Sequence, residues 1–170
     1  RRQRQMCIRD STPTVQATPD YVAGDVLFAP TEISNIFQDK GSACILKSIT
    51  IIDKQVVATH AFTLYFTNSS TALGTINATA DAVVGVLEEI QATIPVVDAD
   101  WIAGGGAGSV DLANVCTISN PAVDGIGSVL QGSNWAGGNI TRGIHIVGIA
   151  GEAMNVASTS DLIIKIGVEY

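Results

Sequence analysis

Two stretches rich in β-branched and aromatic residues, 43–53 and 60–67, constrain the fold more than any other part of this chain. The second stretch alternates bulky apolar residues with smaller or polar ones, and the bulky residues are Phe62, Leu64 and Phe66. This is the period of a strand with one buried face. The first stretch has isoleucines on one face but Leu46 and Ile52 on the other, which predicts a strand covered on both sides. We therefore interpret the two stretches as the central hairpin of a β-sandwich.

Further short strand patterns follow along the chain, separated by turn residues. They predict strands at 24–29, 86–95, 110–119, 124–131, 144–153 and 161–170. Pro30 and Pro95 are expected to end the strands before them, while part of the 86–95 pattern also fits a helix. About eight short strands, with helix limited to one or two turns, predict an all-β fold, either an antiparallel β-sandwich or a jelly roll. A chain of 170 residues is the size of one such domain.

The first 23 residues differ from the rest because they show no sustained period and contain two prolines. This predicts an extended N-terminal arm over 1–23 and a single jelly-roll domain over 24–170. The arm holds four of the nine basic residues of the chain, namely Arg1, Arg2, Arg4 and Arg9. We expect it to lie on a partner or a neighbouring subunit, with these arginines meeting acidic groups.

The charge balance argues against one class of partner. Beyond residue 9 the chain has five basic residues against 16 acidic ones, a balance of -11, whereas the whole chain has a net charge of -7. Nucleic-acid-binding proteins need a basic face to contact phosphates, so no nucleic-acid partner is expected. The N-terminus lacks the apolar run of a signal peptide, and no window approaches the roughly 20 apolar residues of a membrane span. We expect production in a cytoplasm and no membrane association.

Candidate catalytic groups are few and scattered. His60 and His145 lie in predicted strands, without a nucleophile or carboxylate at a spacing that indicates catalysis, which favours packed and hydrogen-bonded side chains. Glu88 and Glu89 are adjacent, so in a strand they face opposite ways and cannot form a paired acid and base. The sequence therefore predicts no catalytic residue and no enzymatic activity.

Candidate metal ligands are also incomplete. Three aspartates flank the loop GGGAGSVD, but the calcium-binding pattern G-G-x-G-x-D would place its aspartate at Val110. The three cysteines have no CxxC spacing and no neighbouring histidine, so they indicate neither a zinc site nor a complete disulfide set. We expect no metal and no cofactor, and we expect Cys44 and Cys116 to be buried free thiols.

Trp101 and Trp135 both lie beside glycine-rich loops. A large aromatic side chain in such a place is most often an interface anchor or a plug over the core, and less often a platform for stacking sugars. Both tryptophans are candidate partner-binding residues, together with the arginines of the arm.

Several segments resemble one family of small phage structural proteins. The matching segments are SITIID (48–53), FTLYFTNSSTALGTINATADA (62–82), IHIVGIAG (144–151) and DLIIKIGVEY (161–170). The loop after the second strand contains an LG-x-x-N pattern and an acidic turn, here Leu73, Gly74, Asn77, Asp81 and Ala82. This order is similar to that of the jelly-roll cement or decoration proteins on the heads of tailed bacteriophages. The resemblance covers residues 24 to 170 and does not extend to the arginine-rich arm.

The resemblance implies a structural virion protein that binds the outer surface of a capsid and stabilises it. Its expected partners are the major capsid protein and further copies of itself. A trimer is preferred over a dimer, since closed symmetry is the norm and threefold positions recur on icosahedral shells. The alternative is a carbohydrate-binding or receptor-binding tip module of a phage fibre or tail, which would use the tryptophans and glycine loops to hold sugar.

Overall fold

The computed structural model describes most of the chain, namely residues 5–54, 60–81, 84–102, 114–119, 126–132, 142–156 and 158–170. Its strands are β1 (Met6–Ser11), β2 (Val26–Ile33), β3 (Ala43–Asp53), β4 (Phe62–Thr67), β5 (Ile90–Val96), β6 (Trp101–Ile102), β7 (Asn114–Ile118), β8 (Val129–Gln131), β9 (Ile144–Ala150) and β10 (Leu162–Glu169). Helix in these ranges is limited to α1 (Val84–Leu87) and a 3-10 turn at Asp98–Asp100. The predicted all-β class is confirmed.

The strands form two antiparallel sheets that pack as a β-sandwich. One sheet has six strands in the order β1-β10-β3-β7-β6, with β8 also paired to β3, and the other has four in the order β2-β9-β4-β5. Apolar side chains from both sheets fill the space between them. The largest fully buried aromatic residues are Tyr21, Phe28, Phe37, Phe62 and Phe66. Burial of this apolar surface is the main term that stabilises the fold.

The two stretches that most constrain the sequence, now β3 and β4, do not form a hairpin. β3 pairs with β10, β7 and β8, whereas β4 pairs with β5 and β9 in the other sheet. The predicted hairpin is wrong, because alternation shows which face of a strand is buried and not which strand lies beside it. The predicted inward face of β4 is confirmed, since Phe62, Leu64 and Phe66 are all buried.

A β-bulge in β3 explains why its sequence suggested two buried faces. The pairing with β10 shifts by one residue between Leu46 and Ser48, which leaves Lys47 as an extra residue. This extra residue brings Leu46 onto the same face as Ile49, and both are fully buried. The expectation that β3 is covered on both sides is wrong, since its other face leaves Ile45 exposed.

Pro30 and Pro95 lie inside strands instead of ending them. β2 continues through Pro30 to Ile33, and β5 continues through Pro95 to Val96. Both strands are at the ends of the four-stranded sheet. In an edge strand one side of the backbone has no neighbouring strand, so the missing N–H of proline need not remove a hydrogen bond between strands. In β2 the register also shifts beside Pro30.

The described part of the first 23 residues belongs to the folded domain. β1 pairs with β10 along its whole length, at the end of the six-stranded sheet. Further along, Val15 and Tyr21 are buried, and the Tyr21 hydroxyl donates a 2.8 Å hydrogen bond to the carbonyl of Leu27. The structure thus differs from the extended arm that we expected. The local sequence cannot show that β10 offers backbone partners to β1.

Gly148, in β9, is expected to be intolerant of a side chain. A Cβ there would lie 2.5 Å from Cε1 of Phe28, a fully buried ring with little room to move. We predict that Gly148→Ala lowers the free energy of unfolding by about 1–3 kcal/mol, as overpacked cores do, measured by urea denaturation. Gly167→Ala is the control, because its Cβ would meet only the hydroxyl of Ser48, which can rotate away. Equal stability of Gly148→Ala and wild type would contradict this packing.

Candidate interaction surface

The arginines predicted to bind a partner do not form one surface in the structure. Arg1, Arg2 and Arg4 lie outside the described residues. Arg9 lies in β1, where its Nε donates a 3.1 Å hydrogen bond to the carbonyl of Asn35. Asn35 belongs to the turn after β2, so this contact links the two sheets along one side of the sandwich.

Trp101 is placed in the core, with only 8% of its surface exposed. Its indole N–H donates a 2.9 Å hydrogen bond to the carbonyl of His60, and its ring centroid lies 6.4 Å from that of Phe62. Trp101 is thus a plug over the core, which was one of the roles that its sequence suggested, and offers no open ring face for sugar. Trp135 lies outside the described residues.

A buried acidic residue and a histidine lie next to Trp101. Nε2 of His60 is 3.4 Å from Oδ2 of Asp53, and both side chains are almost completely buried. This separation allows an electrostatic contact, although Nε2 has no hydrogen bond of acceptable geometry within the described residues. In the described ranges, no group of three His, Cys, Asp or Glu side chains could hold a metal ion.

Two thiols and the C-terminal tyrosine lie close together where β1, β10 and β3 meet. Burial, followed by the nearby thiol of Cys7, raises the pKa of Cys44 to about 12. Burial and then a hydrogen bond with Cys7 raise the pKa of Tyr170 to about 12. The Tyr170 hydroxyl also donates a 2.7 Å hydrogen bond to the carbonyl of Ile36. At neutral pH Cys44 keeps its proton, so it is a packing residue and not a nucleophile.

This cluster predicts that the protein loses stability in alkaline solution. The folded state holds the protons of Cys44 and Tyr170 more tightly than the unfolded state, whose pKa values are close to the usual 9.0 and 10.0. The stabilising contribution is therefore complete below about pH 9 and is lost as the pH rises towards about 12. Urea denaturation under reducing conditions should show this decline. Tyr170→Phe keeps the ring but removes one titrating group, so it should flatten the decline, and an unchanged slope would contradict the assignment.

The outer face of the six-stranded sheet carries two rows of mainly apolar side chains, and we call it the open face. The Ile52 row joins neighbours in register at one end of the sheet: Ile163 of β10, Ile52 of β3, Val115 of β7 and Ile102 of β6. The Ile45 row lies at the opposite end: Met6 of β1, Glu169 of β10, Ile45 of β3 and Val129 of β8. Between the rows lie Gly167 and the side chains of residues that are mostly small or polar: Ile8, Asp10, Ser48, Thr50, Thr117 and Lys165, with Lys47 at the bulge beside Ile45.

Several apolar residues of the open face are exposed, whereas Ile52, Val115 and Ile163 are half-buried. Ile102 is 72% exposed, and Met6 and Val129 are each 63% exposed. Single exposed apolar residues are common, but several on one continuous face mark a site of protein contact. The open face is therefore the candidate functional site.

The charges on the open face balance. Nζ of Lys47 lies 3.3 Å from Oε2 of Glu169, and Asp10 stands opposite Lys165 in the register of β1 and β10. Two acidic and two basic side chains thus share a face of a chain whose net charge is -7. Opposite charges in facing positions stabilise a sheet modestly, and these four charges, taken over the described residues of the face, sum to zero.

The outer face of the other sheet is covered by the chain itself. The connection between β4 and β5 folds over it, and its Leu73 and Val86 pack against Val26 and Val147 in a second apolar cluster. The two outer faces therefore differ. The four-stranded sheet has a small apolar core on its outer face, whereas the six-stranded sheet presents its two apolar rows there.

A side-chain contact also closes the sandwich beside β8. The amide of Gln91 donates a 2.7 Å hydrogen bond to the carbonyl of Gln131 and accepts a 2.6 Å hydrogen bond from its N–H. This amide occupies the position of a neighbouring strand, which protects the outer edge of β8. Together with the Arg9 contact on the opposite side, it links the two sheets at both sides of the sandwich.

Sequence reasoning missed the open face. Ile45 and Ile52 both lie on the open face, but the bulge at Lys47 interrupts the alternation of β3. A strict period of two therefore assigns these two residues to opposite faces of the strand. Ile102 and Met6 lie in short or irregular sequence that predicted no strand. Their alignment appears only once the strands are paired.

Comparison with known proteins does not assign the chain to a family: no family model matches it, and no curated protein matches it. No helix in the described ranges has the length and apolar character needed to cross a membrane.

Proposed function

We propose that this protein is a structural virion protein that binds the outer surface of a phage capsid and stabilises it. The observation that carries the proposal is the open face, an accessible apolar surface on a rigid sandwich. Proteins that act by assembly need such surfaces to form lasting contacts with other proteins. The chain works through these contacts and not through catalysis.

We further propose that the sandwich is a jelly roll. The chain passes from one sheet to the other six times: between β1 and β2, β2 and β3, β3 and β4, β5 and β6, β8 and β9, and β9 and β10. Repeated crossing of this kind supports a fold built from two Greek keys, a design used by viral capsid and lectin domains. The fold supports a structural role without specifying the partner.

The choice of a capsid as the partner comes from the sequence resemblance. Its matching segments include much of β3, all of β4, the connection that covers the four-stranded sheet, and β9 and β10. These elements define the sandwich and its second apolar cluster, so the resemblance involves the framework of the fold. The tip-module alternative loses one of its supports, because Trp101 is buried in the core, while Trp135 lies outside the described residues.

Microscopy of phage particles made with and without this protein tests the proposal. We expect additional density on the outer surface of the head when the protein is present, and none on heads that lack it. Density at the tail tip instead, together with binding on a glycan array, would replace the proposal with the tip-module alternative.

A further inference from the structure

We propose that the open face is buried against the open face of a second copy of this chain, in a two-fold dimer. The inference rests on the proposed function, because it names a second copy, and not the capsid, as the partner of the surface that carries that function. The capsid is then contacted by the remaining surface of the dimer. It also changes the expected symmetry from a trimer to a dimer, since two flat faces packed together form an isologous pair that is closed after two subunits.

The pattern of the open face is self-complementary. The Ile52 row and the Ile45 row lie at opposite ends, with mostly small or polar residues between them. A two-fold axis in the plane of the face can run along the strands or across them. In the first case each row meets its own copy, and in the second each row meets the other row. Either arrangement places most of the apolar side chains on apolar side chains, as sheets do when they pack face to face, with Glu169 remaining paired to Lys47.

Charge favours this face over the rest of the surface for self-association. The chain carries a net charge of -7, so most approaches of two copies are opposed by repulsion between like charges. The open face instead carries Asp10 and Glu169 against Lys47 and Lys165. Two copies can therefore meet there without bringing net negative charge together.

The size of the open face also suits a dimer. Five neighbouring strands at their usual spacing, and the length of β3 between the two rows, give a flat area on the order of 600 Å². A stable interface buries roughly 800 Å² on each partner, and side chains add relief to a flat outline. The outline is an upper limit, because β1 does not reach the Ile52 row and β6 lies only at that row. The face is thus at the lower end of the size that a specific dimer needs.

Analytical ultracentrifugation of the full chain over a wide concentration range tests the dimer. The variants are Ile102→Lys in the Ile52 row and Val129→Lys in the Ile45 row, both at highly exposed positions where folding should be preserved. We expect wild type to dimerise, and each variant to weaken association at least tenfold, because the substitution places an unpaired charge in the contact. Leu87→Lys is the matched control, since Leu87 is exposed but lies outside the open face, and it should dimerise like wild type.

A wild-type chain that stays monomeric, or that forms a trimer, would overturn the inference. A dimer that both open-face variants leave unchanged would also overturn it. Co-sedimentation of the same proteins with capsids separates this result from the proposed function. If the protein is a monomer that binds capsids, the dimer is wrong and the proposed function stands. If it is a dimer that binds no capsid, the interface stands and the proposed function is wrong.

Discussion

Phe66→Ala is expected to lower the free energy of unfolding by about 3–5 kcal/mol, the usual cost of removing a buried aromatic ring. Phe66 lies in β4, between β5 and β9, and its side chain is fully buried. The loss removes apolar contact and leaves a cavity in the middle of the sandwich, where close-packed neighbours cannot easily collapse. Urea denaturation followed by circular dichroism measures the effect.

The control for Phe66→Ala is Thr93→Ala in the neighbouring strand β5. Thr93 is exposed, so its substitution should change the free energy of unfolding by no more than about 0.5 kcal/mol. Similar losses for the two variants would mean that β4 does not present Phe66 to the core.

Trp101→Ala is expected to cause a loss of similar size, about 3–5 kcal/mol. The ring of Trp101 packs near Phe62, and its indole N–H satisfies the buried carbonyl of His60. Removing the ring opens a cavity and leaves that carbonyl without its donor, which adds to the cost. Thermal and urea denaturation of the purified variant would measure it.

Ile102→Ala is the control for Trp101→Ala, because it changes the next residue along β6 at a highly exposed position. Its stability should match that of wild type within about 0.5 kcal/mol. If Trp101→Ala kept wild-type stability but lost association with a partner, Trp101 would be an interface anchor and not a plug over the core.

The all-β class and the buried face of β4 could be predicted from the sequence because both depend on local alternation. Phe62, Leu64 and Phe66 recur at the period of a strand, and a bulky residue at each position needs a core to bury it. The turn residues between the short strands added the expectation of antiparallel sheets. These conclusions need no knowledge of which strands are neighbours.

Pairing between strands that are distant in sequence could not be predicted. Most of the differences between the predicted and the observed fold arise from this pairing. β3 and β4 are consecutive but lie in different sheets. β1 is an outer strand because β10, far away in sequence, offers it backbone partners. Pro30 and Pro95 are tolerated because their strands are at the ends of a sheet. In each case a tertiary contact overrides what the local residues suggest.

The candidate site depends on pairing even more strongly. Ile52, Val115, Ile102 and Ile163 come from four separate segments, and only the registers of β10, β3, β7 and β6 align them. The sequence therefore directed attention to isolated arginines and tryptophans, which are conspicuous as single residues. An interaction surface made of ordinary isoleucines and valines has no comparable local signal.

Heating of phage heads with and without this protein tests the proposed function most directly. DNA release, followed by a fluorescent dye that binds free DNA, reports when the shell fails. We predict that heads carrying the protein release DNA at a higher temperature than heads that lack it, and that adding the purified protein back restores the difference. Identical release curves, with the protein shown to be bound to the heads, would contradict a stabilising role on the capsid.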